Sequence, residues 1–588
     1  MYFDQPGIPS GRRRYAVKIT CFGGVGEIGG NKILLEDRDR RFLLDFGKAF
    51  GEYSRFFDGI FVKERVARGL LDPLALGLLP PLRGLLREDL VPAVATSDLQ
   101  LHPAEPQGPR RKPRQAASLR ASAVEAFWEH WRQRRPLVFR DLRRASAPAV
   151  DLVLLSHAHQ DHISDLAFVS HEIPVVATRT TAFIAKVLGD VGIGGIGGVP
   201  YIVLRTPGPE GALQAQREEP YRTRPHHFVD GAPEGNPSGD PLENASSFWA
   251  NTATKTLAAL RAEIPADVRF LWWPVDHSLL GAAGYAVETE AGWVAYTGDL
   301  RFHGSAGRQT WDFAEALAAL RPAVLICEGT RLSATNSLSE AEVGERCLEA
   351  ARQADGRLLV ADFAPRNIER LMAFLRIAAE TGRRLLVQPK DAYLLRAMYL
   401  ANPGMGDVMR HASIGLYADP KVTHYEWEKL VYDRFAGQLT RPEWVHSSPG
   451  DYLLAFSLTD VPDLLDLEYL AKGPMGGVYI FSNSQAYDEE QMVDLVRLWN
   501  WASHLGLEMV GLAPSRHGLR GEVSAVSTVP GYHASGHASG AELAEFVRRV
   551  HPRALVAVHT EEPNLWSDHL AGTGIQLVNP EYARPIQL

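Results

Sequence analysis

The chain has 588 residues, of which 45% are hydrophobic, and a formal net charge of -8 at pH 7. That length holds two or more domains with substantial cores, and the acidic balance counts against a general polyanion binder, because phosphate backbones are held by local Lys and Arg. No run of 18 apolar residues occurs, the N-terminal MYFDQPGIPSGRRRYAVKIT lacks a secretory core, and Cys21, Cys327 and Cys347 lack metal-type spacing. The expectation is a cytoplasmic, reduced protein with no membrane segment.

In chain order, YAVKITCFGG, NKILLED and RRFLLDFG read as strands. Residues 51–148, rich in Pro, Arg and Leu, then read as an insertion. Within them, eleven Lys or Arg lie between Arg110 and Arg144 against Glu125, Glu129 and Asp141. This run is either a solvated, partly flexible arm or a track for a polyanion. VDLVLL follows as a buried strand, and SHAHQDH begins where it ends, the usual place for ligands in open α/β architectures. GIGGIGG, from Gly192 to Gly198, lacks the Lys of a phosphate-binding loop and reads as a mobile turn. Residues 206–244, rich in Pro and Gly, read as a surface excursion that leaves His226 and His227 in solvent.

GYAVETE and WVAYTGDL read as a hairpin turning at Glu290, Ala291 and Gly292, with Trp272 and Trp273 before it in core or sheet packing. Such a hairpin returns Asp299 to the edge from which His277 starts. From Gly356 the alternation becomes regular. GRLLVADF is a strand, and Asn367 to Glu380 a helix with Ile368, Leu371, Met372, Leu375 and Ala379 on its apolar face, stopped by Gly382. RRLLVQP, KDAYLLRAMYL, GGVYIFSN and a helix around Met492, Leu495 and Trp499 continue a parallel α/β unit.

The histidine cluster sets the chemistry. His157 and His159, two apart, can point the same way from an extended loop, whereas the adjacent Asp161 and His162 must diverge. That pattern suits two neighbouring metal ions, each needing further donors and a group shared between them. His277 and Asp299, following in order, supply candidates.

GGVGEIGGNKILLE, LLDFG with Asp45, SHAHQDH, VDHS with His277 and TGD with Asp299 resemble the successive motifs of the metallo-β-lactamase fold. CEGT with Glu328, HASGHAS with His537 and VAVHTEE with His559 resemble the added motifs of its β-CASP nuclease branch. VADFAPRN and FSNS are similar to loops of ribonuclease J. The resemblance implies an α/β protein, a four-layer αβ/βα metallo-β-lactamase sandwich carrying an inserted parallel α/β β-CASP domain. The expected divisions are 1–334 and 501–588 for the sandwich and 335–500 for the insertion. It implies a metal-dependent ribonuclease with two divalent ions, zinc or manganese, acting on single-stranded RNA as a 5′–3′ exonuclease, an endonuclease or both. One ion falls to His157, His159 and His277 and the other to Asp161, His162 and His559, with Asp299 bridging. Asp161 would orient the nucleophile and His537 would serve the scissile phosphate or leaving oxygen. Ser535, Gly536, Ser482 and Asn483 would contact substrate, and Asp45 and Glu328 would orient ligands.

Two departures point to a divergent branch: Thr560 follows His559 where the family has Gly, and Glu-Gly-Thr replaces Asp-Ser-Thr. No separate C-terminal assembly domain is recognisable after His559, so homo-oligomerisation stays open. The competing readings are a small-molecule metallohydrolase on the same scaffold and a DNA nuclease.

Overall fold

The computed structural model describes residues 17–57, 62–92, 113–144, 148–192, 195–208, 212–252, 256–335, 337–484, 489–518 and 521–588. Two mixed sheets lie face to face. The first runs His226–Phe228, Val175–Ala177, Leu152–Leu154, Arg40–Phe46, Lys32–Asp37, Lys18–Cys21 and Ile586–Gln587. The second runs Phe270–Pro274, Ala283–Thr289, Gly292–Tyr296, Val324–Cys327, Ala554–Ala557 and Gln576–Val578. Alternating side chains meet between them: Ile33, Leu35, Leu44 and Leu154 from one side pack on Tyr285, Val287, Tyr296 and Ile326 from the other. This is the period-two pattern of strands with an inward face. The expected hairpin is present, with Tyr285 opposite Tyr296 and Thr289 opposite Gly292.

A third sheet of seven strands is parallel throughout, in the order Leu439–Thr440, Ile414–Tyr417, Arg384–Val387, Tyr452–Ala455, Leu359–Asp362, Gly477–Phe481 and Leu507–Val510. Its strands are buried runs such as LVAD and GVYIF, as a sheet covered on both faces requires. Its last strand comes after the expected boundary at 500, which itself falls inside the helix Glu489–His504. The helix Ile368–Glu380 starts at the Asn367 cap, whose side chain accepts from the Arg370 amide, and Gly382 follows it at φ 69°. Its buried face is Leu371, Phe374, Leu375, Ile377 and Ala378, while Met372 is exposed. The expected face was rotated, because Phe374 and Ile377, not Met372 and Ala379, complete the stripe.

Three expectations for the irregular segments need correction. The helix Pro113–Arg134 buries Phe127, Trp128 and Trp131 in the same core as Leu43, Leu70, Leu82 and Leu90, so the basic run is not a free arm. Its apolar side was hidden by the flanking charge. Several of its cations serve structure: Arg140 pairs with Glu36, Arg144 with Asp151, and Arg120 donates to the Val91 carbonyl. Arg110, Arg111 and Lys112 lie outside the described residues. In the 206–244 segment, His226–Phe228 joins the first sheet in parallel with Val175–Ala177. His226 is therefore buried, its Nδ1–H donated to the Arg224 carbonyl at 2.8 Å, and burial drives the imidazole down to about 3. His227 is half-buried. The glycine run is anchored where it is described: the Ile196 carbonyl accepts from Arg87 and Gly197 bridges to Ile202. Trp272 and Trp273 pack on the sheet cores as expected. Among the described residues no helix is long and apolar enough to cross a membrane, and all three cysteines are free and buried.

Candidate metal centre

The loops that leave the facing edges of the two sheets meet at one cluster. Ser156–His159 follow the strand Leu152–Leu154, Asp161 and His162 occupy a short helix, and His277 precedes Ala283–Thr289. Asp299 follows Gly292–Tyr296, Glu328 follows Val324–Cys327, and His559 follows Ala554–Ala557. Donor atoms of His157, His159, His277 and Asp299 lie within 4.8 Å of one another, as do those of Asp161, His162, Asp299 and His559. Asp299 is common to both sets. A third grouping joins Asp299, Glu328, His537 and His559.

The hydrogen bonds around the cluster set the imidazole tautomers. The Ser156 hydroxyl and amide both donate to Asp45, at 2.6 and 2.7 Å, so the hydroxyl oxygen must receive Nδ1–H of His157 at 3.0 Å. His162 donates Nδ1–H to Asp45 at 2.8 Å and His277 donates to the Gly536 carbonyl at 2.7 Å. Thr330 gives its hydroxyl proton to Glu328 at 2.7 Å and receives Nδ1–H of His559 at 2.8 Å. Each ring then presents an unprotonated Nε2 inward. Nε2 of His157 and of His277 both face Nδ1 of His159, at 3.0 and 2.9 Å, and one proton cannot serve both contacts. On the other side, His559 Nε2 lies 3.2 Å from Asp161 and His162 Nε2 lies 3.2 Å from Asp299.

Asp299 is almost wholly buried, and neither carboxylate oxygen meets a hydrogen-bond donor; His162 Nε2 is likewise buried without a partner. Buried polar groups in proteins are nearly always satisfied, and lone pairs converging from imidazoles and carboxylates are what a divalent cation accepts. The donor set thus fits a metal ion on each side of Asp299. Charge balance in the bare protein falls to protons. Burial, with repulsion from neighbouring imidazoles, drives His157 and His277 well below the usual range, and burial takes His159 down to about 4. Burial also opposes charge on Asp161, Asp299 and His162, but their mutual attraction outweighs it. The two carboxylates are held low and His162 is pushed well up.

Backbone geometry holds these groups close. Asp45 and His559 are non-glycine residues at φ 55° and 53°, strain that the surrounding contacts sustain. A Cβ at Gly47 would stand 1.7 Å from the Asp161 carbonyl oxygen, and one at Gly29 would be 2.8 Å from the Asp161 Cβ. The opening glycine-rich loop is thereby packed directly on a ligand candidate.

His537, half-buried on its loop, sets Nδ1 3.1 Å from Glu328 and 3.9 Å from Asp299. Burial would lower its imidazole, but those carboxylates prevail and push it up to about 9. Ser535 accepts from the His537 amide, and its carbonyl accepts from His303 at 3.0 Å. Gly536, through its carbonyl, fixes His277. Ser482 is buried, and its hydroxyl donates to the Tyr532 carbonyl and accepts from Arg370. Asn483 donates to Asp362 at 3.1 Å. Asp45 receives Ser156, His162 and Tyr296, and Glu328 receives Leu300, Thr330 and His537. Ser156, Tyr296, Thr330 and His303 were not singled out from the sequence. Two of them stand inside quoted motifs, but a hydroxyl that fixes a tautomer has no spacing signature.

Comparison with known proteins adds three findings. Residues 524–572, which hold the His537 loop and His559, match the RMMBL family model, described as a Zn-dependent metallo-hydrolase RNA specificity domain. The chain is 25% identical over 301 residues to ribonuclease J of Mycolicibacterium smegmatis, covering 49% of this chain and 46% of that protein. It is 33% identical over 121 residues to ribonuclease J 2 of Streptococcus pyogenes, covering 20% and 22%. The matched regions thus span less than half the length of these relatives. A crystal structure titled as a protein of unknown function from Enterococcus faecalis V583 shares the fold across 97% of this chain and 100% of its own, at TM-score 0.59 and 18% identity. These findings support the motif resemblance: the chain is similar, at low identity and over part of its length, to ribonuclease J proteins and to a Zn-dependent metallo-hydrolase domain.

Proposed function

We propose that this protein is a metal-dependent ribonuclease that hydrolyses RNA phosphodiester bonds with two divalent ions. The observation that carries the reading is Asp299, a buried carboxylate with no donor to either oxygen, set between two groups of inward-facing ligand atoms. His157, His159 and His277 would hold one ion, and Asp161, His162 and His559 the other, with Asp299 shared. The imidazoles suit zinc and the carboxylates also admit manganese. Ions bound there would supply Lewis acidity to the phosphate and to the attacking water, which hydrolysis of a phosphodiester at neutral pH requires.

The chain's own groups position and protonate. Asp161 is oriented by the glycine loop at Gly29 and Gly47 and accepts from the attacking water. His537, anchored to Glu328, donates to a phosphate oxygen or to the leaving oxygen. The Ser535–Gly536 turn borders the same space and offers its amides to a terminal phosphate. In this reading the first two sheets and their outer helices form the four-layer sandwich, and the parallel sheet is the β-CASP insertion, extended to about Val510 by its last strand. The RNA specificity match supports RNA over DNA. A cytoplasmic enzyme, acting from a 5′ end or internally, completes the proposal.

The test is a digestion time course of 5′- and 3′-labelled RNA and of DNA of the same sequence, with zinc and manganese supplied separately. RNA cleavage exceeding DNA cleavage, with about two metal ions per chain, is the expected result. Equal rates would favour a DNA nuclease, and ester or lactam turnover without nuclease activity would overturn the proposal.

A further inference from the structure

A cavity lies between the helices Arg179–Val191 and Pro389–Ala401. It has a volume of about 330 Å³. Val187, Leu188, Val191, Phe363 and Leu394 form its apolar wall, and Arg366, Lys390, Asp391, Asp460 and Asn483 its polar end. Most of these polar groups have partners within the chain. Lys390 pairs with Asp460, and Asn483 donates to Asp362. Two do not: Arg366 Nη1 and Asp391 Oδ2 are both buried and meet no hydrogen-bond partner, so neither satisfies the other.

A guanidinium taken out of water without an acceptor is costly, so its retention points to an anion from outside. Two carboxylates lie within its electrostatic reach. One is Asp161 of the metal centre and the other is Asp391 in the cavity. Asp161 is already engaged with His162 and His559. Arg366 thus lines the cavity while staying within electrostatic reach of Asp161 and His159 of the metal centre. The apolar wall beside it has the area and chemistry to cover a nucleobase.

Resting on the ribonuclease reading, we propose that Arg366 binds a non-scissile phosphate of the substrate strand while the adjoining cavity receives the attached nucleoside. Arg366 is then a substrate-positioning residue, and it acts on affinity more than on the bond-breaking step.

The experiment compares wild type with Arg366→Gln, Arg366→Lys and Val191→Trp, the last narrowing the cavity. Initial rates on a short single-stranded RNA are measured over a salt series and thermal unfolding is recorded in parallel. Arg366→Gln should raise KM roughly ten- to hundredfold, the range for loss of one charge-assisted hydrogen bond, with a much smaller change in kcat. The salt slope should flatten by about 0.7. Arg366→Lys should recover part of the loss, and Val191→Trp should raise KM without changing the slope. Because the variant sheds an unpaired buried charge, Arg366→Gln should melt at or above the wild-type temperature. A lower melting temperature would make Arg366 structural and overturn the inference. So would an unchanged KM in a wild-type background that cleaves RNA. Failure of the wild type to cleave RNA at all would overturn the ribonuclease reading as well.

Discussion

Two buried charge clusters lie side by side in this molecule and differ in one respect. Around Arg301, every carboxylate faces a guanidinium: Asp276 and Glu369 pair with Arg301, and Glu340 pairs with Arg370. Around Asp299, two positions earlier, acceptors face acceptors and both carboxylate oxygens are left over. The first cluster leaves no carboxylate without a guanidinium, although Arg301 Nη1 and Arg370 Nη2 lack hydrogen-bond partners, and it ties the second sheet to the helix Ile368–Glu380. The second is open, and its remaining valence is the shape of a cation. Burial and charge alone do not distinguish the two clusters; what differs is that the second leaves both oxygens of a carboxylate without a donor.

Breaking the open cluster should give the largest effect. Asp299→Ala is expected to reduce bound metal from about two ions per chain to under one and to lower RNA hydrolysis by about 10³-fold or more. Elemental analysis beside initial rates checks this, with circular dichroism to verify folding. Breaking the first cluster should act on stability instead. Arg301→Ala strands Asp276 and Glu369 and should cost about 3–5 kcal/mol in denaturant unfolding.

A third kind of buried carboxylate sharpens the contrast. Asp391 has neither a full partner nor a ligand role: one of its oxygens is unpaired, and burial pushes its carboxyl up to about 7 from 3.8. The groups facing it are Lys390, Asp460 and Arg366. Its folded-state pKa lies above the unfolded one, so the native state binds more protons in between. Its contribution is fully present below pH 3.8 and is lost as the pH rises through about 7. Stability should decline across that window by up to about 1.4 kcal/mol per pH unit. Asp391→Asn should flatten the decline, as measured by urea unfolding at a series of pH values.

A smaller effect is expected one step outside the open cluster. Asp45 orients His162 directly and His157 through Ser156, without facing the inner ligand atoms. Asp45→Asn should weaken metal binding by about 10- to 100-fold, read by competition with a chelating dye. The sheets themselves should survive, because Asn keeps the shape of the side chain and an oxygen to accept from Tyr296.

The loops that meet at the candidate metal centre were legible because metal ligation demands rare residue types at fixed separations. His157, His159, Asp161 and His162 could be read from one heptapeptide, and His277, Asp299 and His559 from ordered motifs. Buried strands such as VDLVLL were legible for a similar reason, since a continuous apolar run admits few other settings. The text was less informative where packing depends on distant partners. His226 sits among prolines, glycines and charges, and only pairing with Val175–Ala177 buries it. Trp128 and Trp131 were masked by their arginine neighbours. Ser482 resembles a substrate contact by motif, but in the fold Arg370 and Tyr532 hold it. Arg366 drew no notice, because an unpaired guanidinium is defined by what surrounds it.

The smallest expected effect concerns the exposed face of the helix Pro113–Arg134. Arg132, Arg134 and Arg135 are exposed at the C-terminal end of this helix; Arg132 pairs with Glu129 at 3.2 Å and lies over the Phe139 ring. Replacing all three by Gln should alter stability by no more than about 0.5 kcal/mol, because exposed pairs of this kind contribute little. Their long-range field is another matter in a chain whose net charge is -8. A polyanion approaching an acidic protein must be met by local positive charge, and each lost phosphate contact removes about 0.7 from the slope of log affinity against log salt on single strands. The triple variant should therefore bind RNA more weakly at low salt, equally for all sequences, with a flatter slope and an unchanged melting temperature. A slope equal to wild type would assign the three arginines to solvation alone.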